Sequence, residues 1–189
     1  METIIGAANR RLQMLAILFA ATGLRAGEMF GLEVRHFDGI SNIVEQEAWG
    51  GKIQTPKTEN ARRTVELHPE VAKLLTSFIG GQTKGYIFPN GRGKPIGQSN
   101  FLRRESHPVL RRVGIPQCGL HDFRRCRNTY LRNVAGCPDG LLKFWLGHAD
   151  QSMSDRYDKV GQGANAQFRQ GQSQVMSVGF KLPKHLKDW

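Results

Sequence analysis

The chain has 189 residues, with 27 Lys and Arg against 16 Asp and Glu, a formal net charge of +11 and a sequence pI near 10.1. That balance fits a polyanionic partner, nucleic acid before an anionic membrane surface, and equally a solvated basic surface, so charge alone does not choose a function; an apolar fraction of 39% is enough for a core and sets disorder aside. Leu12–Gly23, the longest apolar candidate, is interrupted by Gln13 and Thr22 and falls short of the ~18 residues of a membrane span, and three cysteines without C-x-x-C spacing (Cys118, Cys126, Cys137) argue against a disulfide framework or structural zinc and for the cytoplasm.

Leu12, Leu15, Ala16, Phe19 and Ala20 recur at helical spacing, which predicts an amphipathic helix over Arg10–Thr22 ended by Gly23. A short helix is expected over Ala26–Glu33. Ile43–Trp49, Lys52–Thr55 and Arg62–Leu67 read as three short strands, the last alternating Val65 and Leu67 with Thr64 and Glu66. Thr58-Glu59-Asn60 supplies a turn, so Lys57 lies near a hairpin tip. After His68-Pro69 the residues Val71, Leu74, Leu75, Phe78 and Ile79 predict another helix, stopped by Gly80-Gly81. Tyr86–Gly97 reads as a loop. Helices follow at about Ser99–Val113, with Pro108 a candidate break, at His121–Val134 and at Pro138–Leu146, with Gly147 as cap. Gly161–Trp189 is a Gln- and Gly-rich tail that packs late or docks elsewhere. The fold class expected is α+β: a mostly helical domain with one small three-stranded antiparallel sheet.

Charge is concentrated between Phe101 and Arg132, where eight Arg face Glu105 and Asp122 and supply a net +6 of the total +11. Arginine forks suit bidentate phosphate contact. Five short passages carry the chemistry. Arg25 sits in Thr22-Gly23-Leu24-Arg25-Ala26-Gly27-Glu28, and Lys57 in Thr55-Pro56-Lys57-Thr58. His121 and Arg124 lie at i and i+3 of one helix face. His148 ends Leu146-Gly147-His148, and Tyr157 follows nine residues later. Singly, each has a plainer reading: Tyr157 as a packing residue, the histidines as helix-end hydrogen-bonding groups, Arg25 and Glu28 as a solvated pair, and Lys57 as an exposed loop lysine.

In this order and combination the passages resemble the tyrosine recombinase (phage integrase) family, over roughly Arg10 to Val160. The resemblance implies that Arg25 and Arg124 clamp a DNA phosphate and that His148 donates to it. Tyr157 would then be the nucleophile, leaving a 3′-phosphotyrosyl link and a free 5′-hydroxyl. By the same resemblance His121 takes the phenolic proton, Lys57 protonates the departing 5′-oxygen, and Glu28 orients a cation. No metal, nucleotide or other cofactor is implied. The partners implied are double-stranded DNA and further copies of the chain, a tetramer on DNA. Arg103, Arg104, Arg111, Arg112, Arg125 and Arg127 are candidate phosphate contacts, which set affinity and salt dependence rather than sequence choice. Trp145, Leu141, Leu142 and Leu146 are expected in the core.

Two positions depart from the family pattern: Arg125 stands where His is frequent and Cys126 where Thr is common. Family members usually carry a helical DNA-binding domain before the catalytic one. With only 24 residues ahead of Arg25 that domain is expected to be absent, leaving a catalytic domain over 1–160 and a tail over 161–189 that packs late or in trans. Weak DNA binding is the expected result. The rival readings are a type IB topoisomerase, a non-catalytic DNA-binding remnant, and a basic protein for an acidic protein partner.

Overall fold

A computed structural model of the chain describes residues 1–55, 62–148, 166–183 and 186. Helix α1 (Glu2–Ala7) precedes α2 (Arg10–Thr22), whose first turn is capped by the Asn9 side chain accepting from the Leu12 amide at 2.9 Å. Met14, Leu15, Ile17 and Leu18 are fully buried, so α2 is the central helix of the core. Gly23 ends it in the left-handed conformation at φ 66°, where a side chain would be strained. The expected helix over Ala26–Glu33 is shorter: α3 spans Ala26–Phe30, and a single 3₁₀ turn follows at Val34–His36.

Among the described residues, the expected single sheet is instead two two-stranded ones. Strand β1 (Ser41–Val44) pairs antiparallel with β4 (Arg63–Glu66), with Val44 opposite Arg63. Strand β2 (Glu47–Trp49) pairs with β3 (Lys52–Gln54), with Trp49 opposite Lys52. The run Ile43–Trp49 breaks between β1 and β2 because Glu45 and Gln46 turn toward the 3₁₀ segment. Glu45 accepts from Arg35 at 2.9 Å, and Gln46 donates to the Gly31 carbonyl at 2.7 Å.

Helix α4 (Pro69–Ile79) runs as expected to Gly80. The expected helix at Ser99–Val113 is continuous but not uniform. Its parts are α5 (Gln98–Phe101), a π-helical turn over Leu102–Ser106 and α6 (His107–Arg112). Pro108 does not break it, because Pro108 falls in the first turn of α6, directly after the wider π turn. Helices α7 (Leu120–Asn133) and α8 (Asp139–Leu146) lie close to expectation; Pro138 is the N-cap of α8, and Gly147 closes it in the left-handed region at φ 62°.

The tail is ordered on its own domain where it is described. Helix α9 (Ala166–Val175) covers β4, and Met176, Val178 and Leu186 join the core. This covering buries Glu66, which strand alternation assigns to the solvent side. Among the described residues, no helix is long and apolar enough to cross a membrane.

Candidate active site

Three chain turns bring the arginines together. The left-handed Gly23 redirects the chain from α2 so that Arg25 becomes the N-cap of α3. Glu28, one turn on, accepts from the Arg25 amide at 2.8 Å and from Arg25 Nη1 at 2.9 Å. On β4, Arg63 is in phase with Val65 and points inward. Its Nη1 and Nη2 donate to the two Glu28 carboxylate oxygens at 2.9 and 3.0 Å, and its Nε donates to the Trp145 carbonyl at 2.7 Å. From α7, Arg124 Nη1 donates to the Gly23 carbonyl at 2.9 Å, and its Nη2 donates to the Leu146 carbonyl. Arg25 Nη2 reaches the Gly147 carbonyl at 3.3 Å.

Three guanidinium groups therefore meet the carbonyl end of α8, whose partial negative charge favours cations, and two of them, Arg25 and Arg63, share the Glu28 carboxylate. The Arg63–Glu28 pair is sealed, with side chains only 1% and 2% exposed. Arg25 stays 41% exposed, and His148, next in the chain after Gly147, is exposed. Both open to solvent from a cationic floor.

The electrostatics agree with the geometry. Burial alone raises the Glu28 carboxyl, but the hydrogen bonds and charge of Arg63, with the amide and charge of Arg25, outweigh it and hold Glu28 below its ordinary range. Burial, together with the Arg25 and Arg63 charges, brings Arg124 down to about 10 despite the Glu28 charge. His148 is lowered by partial desolvation first, then by Arg124, Arg25, Arg63 and Arg132. Its imidazole is neutral at pH 7 and so can donate from one ring nitrogen. Among the described residues, Arg25 and Arg124 each donate to two partners, out of five N–H donors on each guanidinium. Arginine N–H donors of this kind suit the oxygens of a multivalent anion.

Of the six side chains singled out by motif, the structure thus gathers Arg25, Arg124 and His148, with Glu28 beneath them. His121 is exposed on the first turn of α7, one turn before Arg124. Lys57 and Tyr157 lie outside the described residues. Arg63 was not singled out, although the alternation that turns Val65 inward places Arg63 on the same face.

Among the candidate phosphate contacts, Arg103, Arg104, Arg111, Arg112 and Arg125 are exposed. Arg104 shares a groove of about 630 Å³ with Arg11 and Arg92, two cations that no motif marks. Arg127 differs: it is buried, donates to the Ser177 carbonyl at 2.9 Å and lies over the Tyr130 ring. Burial brings it down to about 10. Its fork holds the chain beyond α9 rather than facing a phosphate.

A family model described as the phage integrase family matches residues 1–162. The chain belongs to the phage integrase family. Tyrosine recombinase XerD of Vibrio cholerae serotype O1 is 30% identical to this integrase-family chain over 149 residues, covering 78% of the chain and 48% of XerD. A XerC-like tyrosine recombinase of Caldanaerobacter subterraneus subsp. tengcongensis is 28% identical over 178 residues, 44% of its length. This integrase-family chain spans about half the length of the curated relatives it matches. Among solved structures, the Tn1549 transposon integrase in complex with circular intermediate DNA superposes with a TM-score of 0.68 at 18% identity, over 90% of this chain and 64% of that one. The integrase from mycobacterium phage Brujita gives 0.65 at 19% identity, over 98% and 58%. At these identities the likeness is one of fold.

Proposed function

We propose that the chain is the catalytic part of a site-specific DNA recombinase that acts on double-stranded DNA in the cytoplasm, as a tetramer when it exchanges strands. The observation that carries this reading is the meeting of Arg25 and Arg124, from α3 and α7, at the carbonyl end of α8 beside His148. Phosphodiester transfer places charge on the non-bridging oxygens of a pentacoordinate phosphorus, and donors held around those oxygens stabilise that state most. Arg25 and Arg124 supply such donors, and His148 adds one from the α8 end. Glu28 and Arg63 hold Arg25 in place.

In the step proposed, the Tyr157 phenolic oxygen attacks phosphorus while the bond to the 5′-oxygen breaks. His121 takes the phenolic proton, since a phenol with an ordinary pKa of about 10 is a poor nucleophile at neutral pH. Lys57 gives a proton to the departing 5′-oxygen. The 3′-phosphotyrosyl bond conserves the phosphodiester energy, so a second 5′-hydroxyl rejoins the strand without ATP. The DNA bound by the Tn1549 integrase supports DNA as the partner.

The test is covalent capture on a duplex with a nick beside the scissile phosphate, which traps the adduct when the short 5′ product diffuses away. The wild-type chain is expected to form a denaturant-resistant protein–DNA adduct, and Tyr157→Phe to form none while retaining salt-sensitive binding. No adduct from either form identifies a DNA-binding remnant and sinks the enzymatic reading.

A further inference from the structure

We infer that Glu66 and Arg169 are positioning residues for the segment that carries Tyr157: a buried ion pair that fixes the chain after this segment to the strand that also supports the arginine site. The inference rests on the recombinase reading above. In the sequence, Tyr157 falls between His148, where the chain leaves α8, and Ala166, where α9 begins.

Both flanks converge on β4. On the leading side, Arg63 Nε holds the Trp145 carbonyl at 2.7 Å, and Trp145 Nε1 donates to Glu66 Oε2 at 2.7 Å. On the trailing side, Arg169 Nε donates to Glu66 Oε1 at 2.7 Å, and its guanidinium lies 4.8 Å above the Phe144 ring. One turn further along α9, Ser173 Oγ donates to the Leu67 carbonyl at 3.2 Å. The Arg169 and Glu66 side chains are only 5% and 4% exposed.

The two oxygens of one carboxylate are thus divided between the two flanks, so Glu66 fixes their separation. Apolar residues of similar volume could bury the same area. What they lack is direction: a carboxylate shared by an indole N–H and a guanidinium, with an aromatic ring behind it, admits one arrangement of α9 against α8. Glu66 also stands three residues after Arg63, so one four-residue strand serves the arginine floor and the α9 anchor together. A nucleophile delivered from a segment tied at both ends loses less alignment than one tied at a single end, and a displacement of about 1 Å in such a step costs on the order of 100-fold in rate.

The experiment uses the whole chain and the nicked duplex at saturating concentration. It measures the first-order rate of adduct formation, the DNA Kd and amide hydrogen exchange for wild type, Glu66→Gln, Arg169→Gln and Arg169→Lys. The Gln variants are expected to capture DNA on the order of 100-fold more slowly with Kd changed by less than about twofold, the pattern of a lost alignment rather than lost binding. Exchange is expected to quicken in α9 and to stay unchanged in α2 and α7. Arg169→Lys keeps the charge without the fork, is expected to recover part of the rate, and carries the same readouts if the Gln variants do not fold. A rate within about threefold of wild type overturns the positioning role, since the alignment loss expected is far larger. So does unchanged α9 exchange, or a loss of rate matched by loss of DNA affinity with faster exchange throughout the core. A wild-type chain that captures no DNA overturns the recombinase reading and the positioning role with it; capture unaltered by the variants overturns the positioning role alone.

Discussion

Arg63→Met removes the main partner of a buried carboxylate. Glu28 then keeps the Arg25 amide and Nη1 but loses two charge-assisted bonds of 2.9 and 3.0 Å, and the Trp145 carbonyl loses its 2.7 Å donor. Breaking a buried pair by removing one partner costs about 3–5 kcal/mol, which for a chain of this size lowers the thermal midpoint by roughly 6–20 °C. The pH dependence carries the sharper signature. In the wild type the Glu28 pKa is depressed below 4.5, so its stabilisation is present above that pH and fades as pH falls through the native value. In Arg63→Met the opposing burial effect dominates and the native pKa rises, so the charged carboxylate penalises the folded state as pH climbs. The difference between wild type and variant is therefore largest near pH 8 and shrinks toward pH 4. Adding Glu28→Gln to Arg63→Met removes the stranded charge, so the double variant loses less stability than the two single losses combined, with a coupling of about 1–3 kcal/mol. Urea denaturation across pH measures all of this. A loss below about 1 kcal/mol at pH 8, or one independent of pH, refutes the account of Glu28 as a carboxylate held ionised by Arg63.

The remaining predictions concern the floor of the site and its rim. Gly147→Ala combines a positive φ of 62° with a Cβ that would lie 2.7 Å from Arg63 Nη1; it is expected to cost more than the control Gly114→Ala, also at positive φ (70°) but in open space, whose loss is about 1 kcal/mol. Equal losses in denaturant melts would remove the Gly147–Arg63 contact from the account. The His148 imidazole is expected to titrate below 6.5 by NMR because of partial desolvation and then the charges of Arg124 and Arg25; its protonation at falling pH therefore disfavours the folded state, and its midpoint should rise in Arg25→Gln. A midpoint at or above 6.5 in the free wild type contradicts the cationic floor. Arg104→Gln is expected to reduce the slope of log Kd against log salt by about one phosphate contact. Arg127→Leu is expected to leave that slope unchanged while lowering the melting temperature, and a reduced slope there would return Arg127 to the DNA face.

Periodicity made helices legible: α2 and α4 bury the apolar stripes that their sequences display, α8 buries Leu141, Leu142, Trp145 and Leu146, and the left-handed glycines at 23 and 147 stand where α2 and α8 end. Local signals could not show which strands pair. Ile43–Trp49 reads as one strand, and only the tertiary contacts of Glu45 and Gln46 split it. The π turn before Pro108 was equally hidden, because the residue types of Leu102–Ser106 suit an ordinary helix. In the site, Arg25, Glu28, Arg124 and His148 were found through ordered motifs, whereas Arg63 and Glu66 were not. Charged residues in a strand read as solvent-facing until another element covers them, and the covering elements, α3 with α8 and then α9, come from far along the chain. Arg127 misled for the same reason: a helix rich in arginine does not announce which of them turns inward.

The central claim is that Arg25, Arg124 and His148 surround one phosphorus atom, and its most direct test is a crystal structure of the chain on nicked duplex DNA with orthovanadate as a pentacoordinate mimic. The account predicts a single vanadium at the α8 end, with both guanidinium groups and the His148 ring on its equatorial oxygens and the Tyr157 phenolic oxygen at an apex. Vanadate bound away from the α8 end, or bound there with the two arginines still turned to the Gly23, Leu146 and Gly147 carbonyls alone, would contradict it.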